Sequence, residues 1–183
     1  MSTEARIIES WREIFAKQKD RAERAMAQLS DAELHEPPAP SVNAVSVIIR
    51  HMAGGMRSRW TDWLTTDGEK PGRDRESEFA VDPSIPRAQL MEAWEGGWSL
   101  VLGAMAALTP GDLARTITIR GEPHSVPRAV TRQIDHYGYH SGQIVTFAKM
   151  LVLRAGREWT HLSVPPGGTS AFNAGMRERF GSF

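Results

Sequence analysis

Residues Pro127 to Ala155, PRAVTRQIDHYGYHSGQIVTFAKMLVLRA, return an apolar side chain at steps of three and four. That period belongs to an amphipathic helix, with Pro127 suited to its first turn and Gly156 to its end. Lys149 and Arg154 put positive charge near the carboxyl end, where the helix dipole favours it. Wound at about 100° per residue, Ile144, Tyr137, Val130, Ala148, Ile134, Val145 and Val152 form one apolar arc, and His136 and His140 fall on its near edge. The two histidines stand roughly 40° apart around the axis and one turn apart along it, so both imidazoles can reach one point.

Upstream of this helix, Thr116-Ile117-Thr118-Ile119-Arg120 alternates polar with β-branched residues and Gly121 to Pro123 is turn-like, which predicts a short hairpin reaching about Val126. Before it, a helix starts near Ser84 with Pro86 in its first turn, carries Leu90, Trp94, Trp98, Val101, Leu102, Met105 and Leu108, and ends at Thr109-Pro110-Gly111. From Thr66 to Pro83 the chain is polar, with Asp67-Gly68 and Pro71-Gly72 as turn signals and a charged run from Arg73 to Glu78. It reads as a long surface loop.

A further helix, capped by Ser41 or Asn43 and stopping near Thr65, buries Val45, Ile48, Ile49, Met52, Met56, Trp60 and Trp63. Pro37-Pro38 and Pro40 take the stretch Ser30 to Pro40 out of helical geometry and make it a connecting loop. The first helix runs from Thr3 to about Leu29 on Ile7, Trp11, Ile14, Phe15, Ala22, Met26 and Leu29. The tail, with Pro165-Pro166-Gly167-Gly168, is expected to be irregular, and no internal repeat is present. Four amphipathic helices without a strand-rich region predict an all-α four-helix bundle forming one domain over 1–183, with a β-hairpin before its last helix.

A chain of 183 residues buries enough apolar surface to fold without staples. Lys+Arg and Asp+Glu both number 22 and no block of like charge occurs, so neither nucleic acid nor a membrane is an expected partner. The apolar runs are short, and Met1-Ser2-Thr3-Glu4 does not open a targeting signal, so the expected location is the cytoplasm. The absence of cysteine excludes disulfides, thiolate ligands, Fe–S clusters and a protein-borne thiol nucleophile. Any metal sits on nitrogen or oxygen, and any thiol chemistry needs a thiol brought in by a small molecule.

His51 lies on the near edge of the second helix's arc, beside Ile48, Met52, Met56 and Trp63. Three imidazoles from two helices suit a catalytic metal, because they leave a coordination position open. On residues alone, the histidine pair reads equally well as two partly buried, hydrogen-bonded side chains. Gln143, on the same side of its helix, is either a hydrogen-bond partner for a metal-bound ligand or a core-edge amide. Gly54-Gly55 signals room for a ligand or a neighbouring helix, or simple tolerance. Asp62 is expected to pair with an arginine, Tyr137 to point inward and Tyr139 outward. His35, His124 and His161 are expected in solvated or capping roles, and the tryptophans in packing. Pro166-Gly167-Gly168-Thr169-Ser170 lacks the strand, helix and lysine of a phosphate loop.

Three strings carry a family resemblance: Asn43 to Gly54 (NAVSVIIRHMAG), Ser58 to Lys70 (SRWTDWLTTDGEK) and His136 to Val145 (HYGYHSGQIV). They resemble the DinB/YfiT-like superfamily of metal-dependent hydrolases, and within it a branch of unknown function. Ile119-Arg120-Gly121-Glu122, Leu162-Ser163-Val164-Pro165 and Phe172-Asn173 extend the likeness over nearly the whole chain. The resemblance implies a four-helix bundle that holds a divalent metal, zinc or nickel, with one histidine from the second helix and two from the last. Those positions here are His51, His136 and His140. In relatives where glutamate replaces one ligand, the reactions are thiol-dependent isomerisation and thiol S-transfer; this chain keeps histidine at all three. The activity that the resemblance implies is that of a metal-dependent enzyme, transferring a low-molecular-weight thiol to an electrophile or hydrolysing a small molecule. The alternative is a non-catalytic stress-response bundle that binds metal or a small ligand. The lack of cysteine favours an external thiol as co-substrate, and the helix faces admit a homodimer.

Overall fold

Ser2 opens the first element: its hydroxyl accepts the Ala5 N–H at 3.3 Å and starts α1, Thr3–Met26. The structure, a computed structural model, describes residues 1–181. After α1 come α2 (Asp31–His35), α3 (Val45–Trp60), α4 (Arg75–Glu78) and α5 (Arg87–Ala107). A 3₁₀ turn (Pro110–Ala114), strands β1 (Thr116–Ile119) and β2 (Glu122–Ser125), α6 (Val126–Arg154) and α7 (Thr169–Phe180) complete the order.

The four expected helices are α1, α3, α5 and α6, with α3 packed mainly on α5 and α1 on α6. Each sends one ring to a common centre. Phe15 of α1 lies 5.9 Å from Trp60 of α3, 6.4 Å from Trp98 of α5 and 5.8 Å from Tyr137 of α6, centroid to centroid. The Trp60 indole N–H donates to the buried Tyr137 hydroxyl at 2.8 Å, so these two rings pair their polar atoms, whereas the buried Trp98 indole N–H has no partner among the described residues. Because Tyr137 is fully buried, the rotation of α6 about its axis is set by the core, and the residue on either side is delivered to a defined place. Tyr139 points outward, as its register requires.

The hairpin forms as the alternation predicts, with Thr116 opposite Ser125 and Ile119 opposite Glu122, and Ile117 and Ile119 turned to the core. Arg120 and Gly121 both have positive φ, 56° and 75°, the geometry of a tight two-residue turn. The Asp67 carboxylate holds that turn by accepting the N–H groups of Arg120 and Gly121, each at 2.8 Å.

Several boundaries and connections differ from those expected. The first helix ends at Met26 rather than Leu29, and Pro86 is the N-cap of α5 rather than part of its first turn. Neither Ser41 nor Asn43 caps α3; its N-cap is the buried Ala44, so docking of the helix start into the core replaces a side-chain cap. α3 ends at Trp60 rather than near Thr65, because Asp62 adopts φ 47° and its carbonyl accepts both Thr65 and Thr66 N–H at 2.9 Å. The expected loop Ser30 to Pro40 contains α2, started by a capping box in which Ser30 and Glu33 satisfy each other's backbone N–H. The expected surface loop Thr66 to Pro83 contains α4, and the expected irregular tail contains α7, none of whose side chains is buried. His124 is not solvated: it is buried on the inward side of β2, 3.4 Å from Glu122 Oε2. Among the described residues, no helix is long and apolar enough to cross a membrane.

Candidate metal centre

α3 and α6 bring His51, His136 and His140 together. One nitrogen from each lies within 4.8 Å of the others, and the Nε2 atoms of His136 and His140 are 3.1 Å apart. The rings meet edge to face, with centroids separated by 5.6 Å (His51–His136), 5.0 Å (His51–His140) and 4.7 Å (His136–His140). His51 is buried and the other two are half-buried.

Two of the three rings are braced from behind. His51 Nδ1 lies 3.0 Å from Glu78 Oε2, and Arg73 grips the same carboxylate with Nε on Oε1 and Nη2 on Oε2, both at 2.8 Å. Burial pulls the Glu78 carboxyl upward, but the bonds from Arg73 and His51 outweigh it and hold the group below its ordinary range. An ionised carboxylate only accepts, so the proton of this bond sits on His51 Nδ1, and Nε2 faces away from Glu78. Phe79 lies against the His51 ring at 4.7 Å, and Arg50 donates to the carbonyls of Ser77 and Ala80 at 2.5 Å, which pins α4 against α3. Gly54, one turn beyond His51, leaves the space in which Glu78 sits, since a Cβ there would overlap Glu78 Oε1. Of the readings open for Gly54-Gly55, the room serves a neighbouring element, the short helix α4.

On α6, His140 Nδ1 donates to Gln143 Oε1 at 2.8 Å, and the Gln143 amide N–H donates in turn to the Tyr139 hydroxyl at 3.0 Å, which sets the amide's orientation. Gln143 thus acts on the ring of His140. Burial pushes His136 down to about 3, with the neighbouring His140 and His51 adding to the effect. His140 is lowered chiefly by burial as well, against the pull of Gln143. Uncharged rings at neutral pH are the ligating form.

This donor set fits a divalent ion. It consists of imidazole nitrogens, two of the three rings have Nδ1 engaged elsewhere, and 3.1 Å is close to the span between two ligands that each bind zinc at about 2.0–2.1 Å. A cavity of about 360 Å³ opens beside His51 and His136, with Arg59, Arg73, Arg75, Arg120, Arg132 and Tyr139 in its wall. A larger one, about 560 Å³, lies beyond Gly54 and Glu78, but none of the three histidines lines it. The smaller cavity is therefore the route to the triad.

The structure brings all three predicted histidines together, with Gln143 behind one of them. Asp62 meets no arginine among the described residues; its charge acts on Lys70 instead. Sequence reasoning missed Glu78 and Arg73, because a charged run without an apolar period reads as solvated surface. The adjacent glycines at 54 and 55 were the one signal that something approaches α3 there.

The family model described as "Protein of unknown function (DUF1572)" matches residues 2–168. No curated protein matches the chain. Among solved structures, a conserved protein from Enterococcus faecalis superposes with a TM-score of 0.62 at 19% identity, over 83% of this chain and 98% of that one. YfiT from Bacillus subtilis, described as a probable metal-dependent hydrolase with an unusual four-helix bundle topology, superposes with a TM-score of 0.57 at 17% identity, over 86% of this chain and 91% of that one. At these identities the likeness is one of fold, and the bundle expected from the sequence is of the kind found in YfiT.

Proposed function

The chain belongs to the DUF1572 family, and from that premise we propose that it is a metal-dependent enzyme acting on a small molecule, with His51, His136 and His140 holding a divalent zinc or nickel ion. The observation that carries this reading is the bracing of two rings from behind, by Glu78 and by Gln143, while one nitrogen of each of the three converges within 4.8 Å. Histidines that merely satisfy one another in a core need no buried carboxylate held ionised by a guanidinium. When bound, the ion supplies Lewis acidity, bringing the pKa of coordinated water to about 7 and favouring the thiolate form of a coordinated thiol.

The chain's own residues do the positioning. Glu78 fixes the tautomer and the direction of His51, and Arg73 keeps Glu78 ionised. Gln143 does the same for His140, and Phe79 shields the His51 ring from water. Because the chain has no cysteine, a thiol reaching the open position comes from a small molecule, which favours thiol transfer to an electrophile. Hydrolysis is the second reading, supported by the description of YfiT.

Elemental analysis of protein purified without a histidine tag tests the premise: about one equivalent of zinc or nickel is expected, and none in His136→Ala. Metal at trace level only overturns the enzyme reading. Incubating the metal-loaded protein with low-molecular-weight bacterial thiols and monochlorobimane tests the reaction. Chelator-sensitive conjugation supports transfer, whereas a rate equal to background rules it out.

A further inference from the structure

The cavity beside the triad is walled by guanidinium groups from four separate segments: Arg59 on α3, Arg73 and Arg75 on the connection to α5, Arg120 at the hairpin turn, and Arg132 on α6. We infer that this cavity is an oxyanion site, and that the small molecule acted on beside the histidines carries a carboxylate or phosphate group that docks on Arg59, Arg120 and Arg132. The role of that molecule as substrate rests on the metal-enzyme reading; the anion site itself rests on the arginines.

The charges around the cavity do not cancel. Glu78 matches Arg73, and Arg75 forms an exposed pair with Glu76 at 3.6 Å. Arg59 and Arg120 share a single carboxylate, Glu69, each at 2.9 Å, and Arg73 reaches the same group at 3.8 Å. Arg132 makes no ion pair among the described residues, and Asp135 is the one acid in the cavity wall itself. One positive charge is left over before any ion is counted, in a chain whose formal charge is zero. A divalent ion on the triad would raise that excess to three.

The crowding is built in. The Arg59 side chain is only 11% exposed, and burial, followed by the like charges of Arg73 and Arg120, pushes its guanidinium below the ordinary value against the pull of Glu69. Arg120 is carried by a residue at positive φ whose N–H is tied to Asp67, so the turn that presents it has a fixed shape. Like charges gathered at such a cost are stabilised by an anion between them, and the planar, forked donors of arginine match two oxygens of a carboxylate or phosphate at once.

The test uses the full chain in chelator-treated and metal-loaded forms, titrated calorimetrically with inorganic phosphate and with succinate at low ionic strength. The chelator-treated form isolates the arginines, since no ion is present to hold the anion. Wild type should bind at least one probe in both forms, with affinity falling as salt is raised. The double variant Arg120→Gln/Arg132→Gln, whose altered side chains are exposed, should bind about tenfold more weakly while keeping its metal content and helical circular dichroism. Preference for phosphate identifies a phosphoryl group on the natural ligand, and preference for succinate a carboxylate. Unchanged affinity in the double variant, or no binding of either probe by wild type, overturns the inference. If wild type holds stoichiometric metal but neither anion, this inference falls and the metal reading stands. If it binds an anion but no metal, the anion site is upheld and the metal reading falls.

Discussion

Gly54 and Glu78 are two sides of one contact, although they are far apart in the chain and only the glycine stood out in the sequence. Replacing Glu78 by glutamine removes the charge that orients His51 and leaves the buried Arg73 guanidinium with only the more distant Glu69 carboxylate, at 3.8 Å. We expect Glu78→Gln to weaken metal binding by about 10–100-fold and to destabilise the metal-free protein by roughly 3 kcal/mol, read by competition with a chelating dye and by urea titration. Gly54→Ala disturbs the same contact from the other side. It restores helix propensity worth about 1 kcal/mol but its Cβ displaces the carboxylate, so metal affinity should fall with a smaller loss of stability than in Glu78→Gln. Acid adds a further check at His136. Its folded value of about 3 lies below that of the unfolded chain, about 6.5, so the unfolded state takes up the proton first as the pH drops. The contribution of His136 to the stability of the metal-free protein is therefore complete above about pH 6.5 and is lost toward pH 3; urea midpoints across that range should fall more steeply in wild type than in His136→Asn. The spacing of the histidines and the apolar arcs beside them are periodic and placed all three at the core edge, while their reading as one ligand set came from the family resemblance. Glu78 was not legible, because its partners are met only through the tertiary fold.

At the level of elements, legibility followed the length of the hydrophobic stripe. The four long helices are recoverable to within a few residues, since each repeats its apolar side over several turns, and the hairpin announces itself by alternation at Ile117 and Ile119. The four-residue α4 is too short to show a period, and α7 has no buried side to produce one. α2 did carry a signal, the spacing of Ser30 and Glu33, but the prolines after it outweighed that signal. The tie between α3 and α6 can be tested directly at Tyr137, whose hydroxyl accepts the buried Trp60 N–H. Tyr137→Phe leaves that donor without an acceptor and should cost about 1–3 kcal/mol in denaturant titration.

For the molecule as a whole, the family match ends at residue 168 and α7 begins at Thr169, with its Phe172 and Phe180 half or more exposed. A chain ending at Gly168 should therefore melt within about 2 °C of the full protein and retain its metal content, as followed by circular dichroism and elemental analysis. The connection between α3 and α5 is the opposite case: it bears no histidine, yet it supplies Glu78 to one ring and Arg73 and Arg75 to the cavity wall. This one segment therefore borders both the cation's ligands and the anion's cavity. Opposite charges so close attract, so an anion held by Arg59, Arg120 and Arg132 should tighten the grip on the cation, and thermodynamic reciprocity returns the same factor to the anion.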